Sequence, residues 1–347
     1  MRNLLILFFL FFFHWGSSQE SERKNPRVGL VLSGGGAKGF AHIGVLKTLD
    51  SLGVRVDYVA GTSMGAVIGG LYASGYSGKQ LDSIISAANF DLLITDAVPR
   101  KSKTFYERKN AEKYALSLPF SNFKIHLPSS ISRGQNVFNL LSKLTLNVNG
   151  IDDFSKLPVP FYCIATDMKT GKEVVLDRGN LAQAIAASSA LPTLYQPVTL
   201  DNKLLMDGGI VNNYPIIGLE SKDLDIIIGV DVQDGLLTIN KLESVSNILI
   251  QIGNFRIAEE MIGKSKLTEI YIKPKVSEYS IVSFKDGGEI IRKGQTAVSP
   301  HLEELKKIAK AQNFTKTEAS IPETQKIKIN DISISGLNKY TASYVRG

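Results

Sequence analysis

Two successive passages from an apolar strand through a glycine turn into a helix constrain the fold more than any other feature of the chain. The first runs from the apolar stretch Arg27 to Leu32 through Ser33-Gly34-Gly35-Gly36-Ala37-Lys38-Gly39. It continues into a helix predicted to reach about Leu52, with Phe40, Ile43, Leu46 and Leu49 on one face. The second runs from a short strand, Val54 to Ala60, through Gly61-Thr62-Ser63-Met64-Gly65 into a helix ending near Gly75. This repeated order is the grammar of an α/β protein with a largely parallel sheet. Further strands are expected at Phe161 to Thr166, Glu173 to Leu176, Lys203 to Met206 and Ile226 to Val230. Helices are expected at Leu181 to Ala187 and Glu243 to Glu260, and a late one opens at Ser299-Pro300, with the Ser as N-cap.

The second glycine turn has the form of a nucleophile elbow. A Ser flanked at two residues by Gly61 and Gly65, between strand and helix, is lifted clear of the backbone at a helix N-terminus, where developing negative charge is favoured. The first turn has two readings. Consecutive glycines 34, 35 and 36 can bring backbone N–H groups close to a reacting carbonyl, with Lys38 adding positive charge. Gly34 to Gly39 also fits the dinucleotide fingerprint GxGxxG, with Asp57 near the spacing of a ribose contact. A phosphate loop of the Walker type is excluded, because Phe40 stands where its Lys would be.

A base for Ser63 is the next requirement. His14 falls in the leader described below, His126 sits in a Pro/Ser-rich stretch, and His42 lies in the helix after the glycine loop. His301 alone comes late enough for the order Ser, acid, His, but it falls in the first turn of an amphipathic helix, where a structural role is expected. Asp207 follows the apolar run Leu204-Leu205-Met206 and precedes Gly208-Gly209. Partial burial there would raise its pKa towards the working range of a general base. Taken alone, Asp-Gly-Gly is more often just a turn.

The ends and the composition bound the setting. Arg2 is followed by ten apolar residues, Leu4 to Phe13, and by the small residues Gly16, Ser17 and Ser18. That pattern predicts a signal peptide over residues 1–18, too short to span a bilayer, then a linker over 19–26. Export disfavours nucleotide cofactors and nucleic acid as partners. The formal charge of +7 falls to +6 once Arg2 is gone, which suits anionic surfaces such as lipid head groups. Cys163 is the sole cysteine, so no disulfide can form within the chain, and its apolar surroundings read as core. Basic and aromatic residues between Arg100 and Lys113 fit a membrane-facing flap and a solvated loop equally. No His, Cys and carboxylate cluster has metal-ligand spacing.

Taken together, Gly34 to Gly39, Gly61 to Gly65 and Asp207-Gly208-Gly209, with Ala187 to Pro192 between the last two, resemble the patatin-like phospholipase family from about residue 27 to 312. The resemblance implies a three-layer α/β fold with a largely parallel central sheet flanked by helices. It implies hydrolysis of carboxylic esters of phospholipids without cofactor or metal. Ser63 would be the nucleophile and Asp207 the base, passing through a covalent acyl-enzyme, and the backbone around Gly34, Gly35 and Gly36 would hold the oxyanion. Lys38, Gly39, Gly61, Gly65, Gly208 and Gly209 would support those motifs, and Ser188 and Ser189 would be helix or turn residues. Where many members have Asp-Gly-Ala, this chain has Asp-Gly-Gly. The alternative is an inactive lipid-binding adaptor at the outer membrane. After a linker at 313–325, residues 326–347 resemble the opening of a POTRA-type module, which joins some bacterial members to a β-barrel.

Overall fold

The computed structural model describes residues 25–97, 132–236 and 245–314, with short pieces at 120–121, 124–125, 130, 239, 330–331, 333–335 and 341. The leader at 1–18, the basic segment Arg100 to Lys113, His126 and most of both linkers and the tail lie outside the described residues.

Strands β1 (Val28–Leu32) and β2 (Tyr58–Thr62) are buried at every residue, as is β5 (Phe161–Asp167). That is the signature of strands covered on both faces, and it explains why they read as unbroken apolar runs. A small hairpin pairs β3 (Phe120–Ser121) with β4 (Lys124–Ile125). The remaining strands are β6 (Lys172–Leu176), β7 (Val198–Leu200), β8 (Lys203–Asp207), β9 (Ile226–Val230) and β10 (Ile270–Ile272). Among the described residues the main sheet has eight strands in the order β10-β9-β1-β2-β5-β8-β7, with β6 also paired to β5. It is parallel from β10 to β5 and antiparallel beyond.

One register detail positions everything that follows. Cys163 of β5 pairs with both Gly61 of β2 and Leu176 of β6, and Ala165 pairs with both Asp207 of β8 and Val174 of β6. Since β6 occupies one edge of β5, β2 and β8 must share the other. The parallel β2 runs up that edge to Thr62, opposite Ile164, and the antiparallel β8 comes down it to Asp207, opposite Ala165. The two strands therefore meet head on, and residues 63 and 207 face each other where they end.

Helices α1 (Ala41–Leu52), α2 (Met64–Ala73), α3 (Gly78–Ala87), α4 (Phe90–Thr95), α5 (Gln135–Leu144) and α6 (Leu181–Ser188) follow in the first two-thirds. Then come α7 (Val245–Lys264), α8 (Gly287–Ala297) and α9 (Leu302–Gln312). The larger core packs α1, α2 and α6 on one sheet face; the smaller, with Tyr58, Tyr162, Tyr214 and Ile216, covers the other against Met261 of α7. Helices α1 and α8 touch through backbone: a Cβ on Gly44 would lie 2.0 Å from Ile291 O, and one on Gly294 would lie 2.0 Å from Ala41 O. Among the described residues no helix is long and apolar enough to cross a membrane.

Two local expectations shift and a third holds. The strand expected from Val54 begins at Tyr58; just before it Asp57 donates N–H to Val28 O at 2.7 Å and accepts Val28 N–H on its carboxylate at 2.8 Å, so a side chain stands where a ladder carbonyl would. Ser299 is not a cap, since it lies inside a 3-10 turn, Ser299–His301, that follows α8 directly and carries no side-chain cap. Cys163 is buried as expected, and burial pushes its thiol pKa up, so it is inert packing.

Candidate active site

The elbow is made by backbone contacts that exclude side chains. A Cβ on Gly61 would sit 2.4 Å from Gly65 O, and one on Gly65 would sit 2.1 Å from Leu32 O. Both glycines are thus required by the crossing of β2, α2 and the end of β1, independently of any chemistry. Between them Ser63 takes φ 55° and ψ −122°, a conformation that L-residues avoid and that stores strain. Its N–H donates to Ser188 Oγ at 3.2 Å, and Ser188 Oγ donates to Ile164 O at 2.6 Å. Ser188 therefore ties the elbow to β5. Its position at the end of α6 was expected from sequence, but this contact was not, since a serine in a run of small residues carries no signal of it.

Asp207 closes the pair. Ser63 Oγ donates to Asp207 Oδ2 at 2.6 Å, and Gly209 N–H donates to Asp207 Oδ1 at 2.7 Å. The carboxyl is buried, and that desolvation raises its pKa from 3.8 to about 6, against the two hydrogen bonds, which lower it. Its main chain is fixed as well, with N–H donating to Ala190 O at 3.1 Å and the carbonyl accepting from Thr166 Oγ1 at 2.8 Å. Gly208 has no room for a side chain, because a Cβ there would lie 2.2 Å from Ile164 O.

The glycine loop lies against the same serine, for a Cβ on Gly34 would be 2.9 Å from Ser63 Cβ. Its three glycines are not equivalent. Gly34 N–H donates to Asn213 O at 3.2 Å and so is already used, whereas Gly35 and Gly36 N–H have no acceptor among the described residues. Gly36 has φ 56°, and a Cβ on it would lie 2.3 Å from Ile281 O. Lys38 is buried and ion-paired with Asp234, which cancels the charge it was expected to lend. Gly39 is needed for contact with Met64, whose Cγ would lie 2.4 Å from a Cβ there.

Among the described residues, the two histidines stand apart from this pair. His42 is fully buried with Nε2 at 2.8 Å from Ser33 O, and burial lowers its pKa to about 4, so it is neutral. His301 lies on the last turn before α9, with Nδ1 4.0 Å from Glu304. Asp57, the residue offered for a ribose contact, is held by Val28 N–H and by Arg55 Nε at 2.7 Å. That occupancy removes the main support for the dinucleotide reading.

Ser63 and Gly36 open on a cavity of about 100 Å³. Its walls are apolar side chains from α2, α3, α4 and α5, among them Val67, Ile85, Leu93 and Leu141, with Leu191, Leu194 and Phe284 beyond. Phe90 stacks on Phe284 at 5.0 Å, and Phe40 meets both. A larger groove of about 720 Å³, lined by polar and apolar side chains alike, lies on the opposite sheet face between β6 and α7, and no residue of the three motifs lines it.

A family pattern described as patatin-like phospholipase matches residues 30–219. An uncharacterized NTE family protein of Mycobacterium tuberculosis is 33% identical over 208 residues, which are 60% of this chain and 49% of the relative. Lysophospholipase nte1 of Emericella nidulans is 27% identical over 312 residues, 80% of this chain and 18% of the fungal protein. The chain thus spans about half or less of the length of the curated relatives it matches. Among solved structures, VipD of Legionella pneumophila aligns over 81% of this chain and 67% of its own, at 16% identity and a TM-score of 0.47. The family pattern takes in both glycine turns and the Asp-Gly-Gly turn and extends over more than half of the residues, and on that match the chain belongs to the patatin-like phospholipase family.

Proposed function

We propose that this chain hydrolyses the carboxylic esters of phospholipids or lysophospholipids, with Ser63 as nucleophile and Asp207 as general base. The observation that carries the reading is the 2.6 Å hydrogen bond from Ser63 Oγ to a buried carboxylate, at the mouth of an apolar cavity. The cavity would take the acyl chain, placing its ester carbonyl beside Ser63. As Oγ attacks the carbonyl carbon, its proton passes to Asp207 Oδ2. The carbonyl oxygen becomes an oxyanion facing Gly35 and Gly36 N–H, with the positive end of α2 behind the serine. Collapse of this intermediate expels the alcohol, which leaves with the proton from Asp207, and an acyl-serine remains. Water then enters, gives its proton to Asp207, attacks the acyl carbon and releases fatty acid, with the proton returning to Ser63. Each step moves only protons and one acyl group.

The raised pKa suits this role. A base at about 6 is ionised at neutral pH yet takes a proton more readily than an ordinary aspartate. Turnover should therefore climb with pH through about 6 and level above it. We also propose that residues 1–18 direct export and that residues 326–347 begin a further module. Fatty-acid release from mixed vesicles of phospholipid and lysophospholipid tests the function: the expected result is release by the wild type and none by Ser63→Ala. Lipid binding with no release by a folded wild type would favour the adaptor.

A further inference from the structure

The carbonyls of Ser33, Gly34 and Gly35 are each anchored by a donor. Ser33 O accepts from His42 Nε2 at 2.8 Å, Gly34 O from Asn213 Nδ2 at 3.4 Å, and Gly35 O from Lys38 N at 3.2 Å. In a planar trans peptide the C=O and N–H point in opposite directions. Anchoring Gly34 O on one side therefore aims Gly35 N–H to the other, and anchoring Gly35 O aims Gly36 N–H. These are the two N–H groups left without an acceptor among the described residues. One anchor is main chain, from Lys38, and the other is the side chain of Asn213.

We propose that Asn213 is a positioning residue for the oxyanion donors, its amide fixing the Gly34-Gly35 peptide so that Gly35 N–H faces the reacting carbonyl. The inference rests on the reading of Ser63 as nucleophile and deepens it. Asn213 does not touch the reacting atoms; it acts through Gly35. Its amide orientation is set by the main-chain Gly34 O, which can only accept, so Nδ2 faces it; in that orientation Nδ2 also donates to Gln233 Oε1 at 2.9 Å. The other end of the amide is wedged between two glycine turns, with Oδ1 2.2 Å from where a Cβ on Gly34 would be and 2.7 Å from one on Gly209. Gly34 is thus demanded by Asn213 as much as by Ser63. Shortening the side chain leaves the main-chain tether intact, since Asn213 O still accepts Gly34 N–H at 3.2 Å.

The test is steady-state hydrolysis of p-nitrophenyl butyrate by wild type, Asn213→Ala, Asn213→Asp and Gln233→Leu, with a melting temperature for each. Loss of an aimed oxyanion donor lowers kcat by about 10²-fold, so both Asn213 variants should show a fall of that order with KM within about twofold. A residue that only supports the fold would lower the melting temperature and the amount of active enzyme without that split. A folded Asn213→Ala with kcat within about threefold of wild type, or one whose loss falls wholly on KM, overturns the proposal. Should the Asn213 variants fail to fold, Gln233→Leu decides, as it keeps Asn213 and removes the acceptor that orients it. A kcat about tenfold lower supports the assignment and an unchanged one overturns it. A wild type without turnover overturns the Ser63 reading itself and is distinguishable from either result.

Discussion

The elbow at Ser63 and the turn at Asp207 touch, yet they are held by different means. Around Ser63 the constraint is steric and main chain to main chain: the forbidden Cβ positions on Gly61 and Gly65 fall on Gly65 O and Leu32 O. Around Asp207 main-chain crowding is confined to Gly208, against Ile164 O, and the rest is polar and in part side chain: Gly209 N–H and Ser63 Oγ reach the carboxylate, and a Cβ on Gly209 would meet Asn213 Oδ1 at 2.7 Å and Asp207 Oδ1 at 2.9 Å. Backbone cannot yield without moving strands, whereas a side chain can turn. Ser63 is thus placed by the fold, and Asp207 is tuned by burial and hydrogen bonds.

Alanine at one glycine in each region breaks this comparison most sharply. Gly65→Ala forces a carbon to 2.1 Å from Leu32 O, so loss of soluble protein or a fall in stability of about 3 kcal/mol or more is expected. Gly209→Ala meets only side-chain atoms at its nearest contacts, so a folded protein with slowed turnover is expected. Urea unfolding of the two variants checks the difference, and equal stability would contradict it.

A second contrast is between activity and stability at Asp207. Its carboxyl binds a proton more tightly in the folded chain, about 6, than when unfolded at 3.8. The wild type therefore loses stability as pH rises from about 4 through 6. Two units of pKa correspond to about 3 kcal/mol. Asp207→Asn cannot titrate and can still accept Gly209 N–H. It should be inactive, yet lose less stability than wild type between pH 4 and pH 7, by up to about that amount. Parallel melting curves for the two proteins would refute the raised pKa.

The smallest effect is expected at Ser188, whose hydroxyl joins Ser63 N–H to Ile164 O. Ser188→Ala should cost about 1–2 kcal/mol, the size of a buried hydrogen bond left unmade. It should also lower kcat modestly, because the strained φ at Ser63 loses one of its restraints. Chemical denaturation and ester hydrolysis measured on one preparation check both.

Much of the parallel half was legible because its signals are local. An apolar run, a glycine turn and a helical face fit within about thirty residues, and β1, α1, β2 and α2 lie near their expected places. The two-residue spacing of Gly61 and Gly65 about Ser63 shows through because main-chain crowding forbids any other residue there. The antiparallel half gave less. Asp207 could be found beside Gly208 and Gly209, but no local pattern shows β8 meeting β2 end to end along β5. That arrangement joins residues 144 apart in sequence. Ser188 and Asn213 act through single polar contacts, with no periodicity to mark them. Short or glycine-bearing elements such as β10 and α8 were also missed, the latter because Gly287, Gly288 and Gly294 weaken its helical pattern.

The most direct test of the central claim is labelling with a fluorophosphonate across pH 4 to 8, with the modified peptide mapped by mass spectrometry. The account predicts a single adduct on Ser63, formed at a rate that rises through a pKa near 6. It predicts no adduct in Ser63→Ala and almost none in Asp207→Asn. Labelling that persists at full rate in a folded Asp207→Asn, or that maps to a serine other than Ser63, would contradict it.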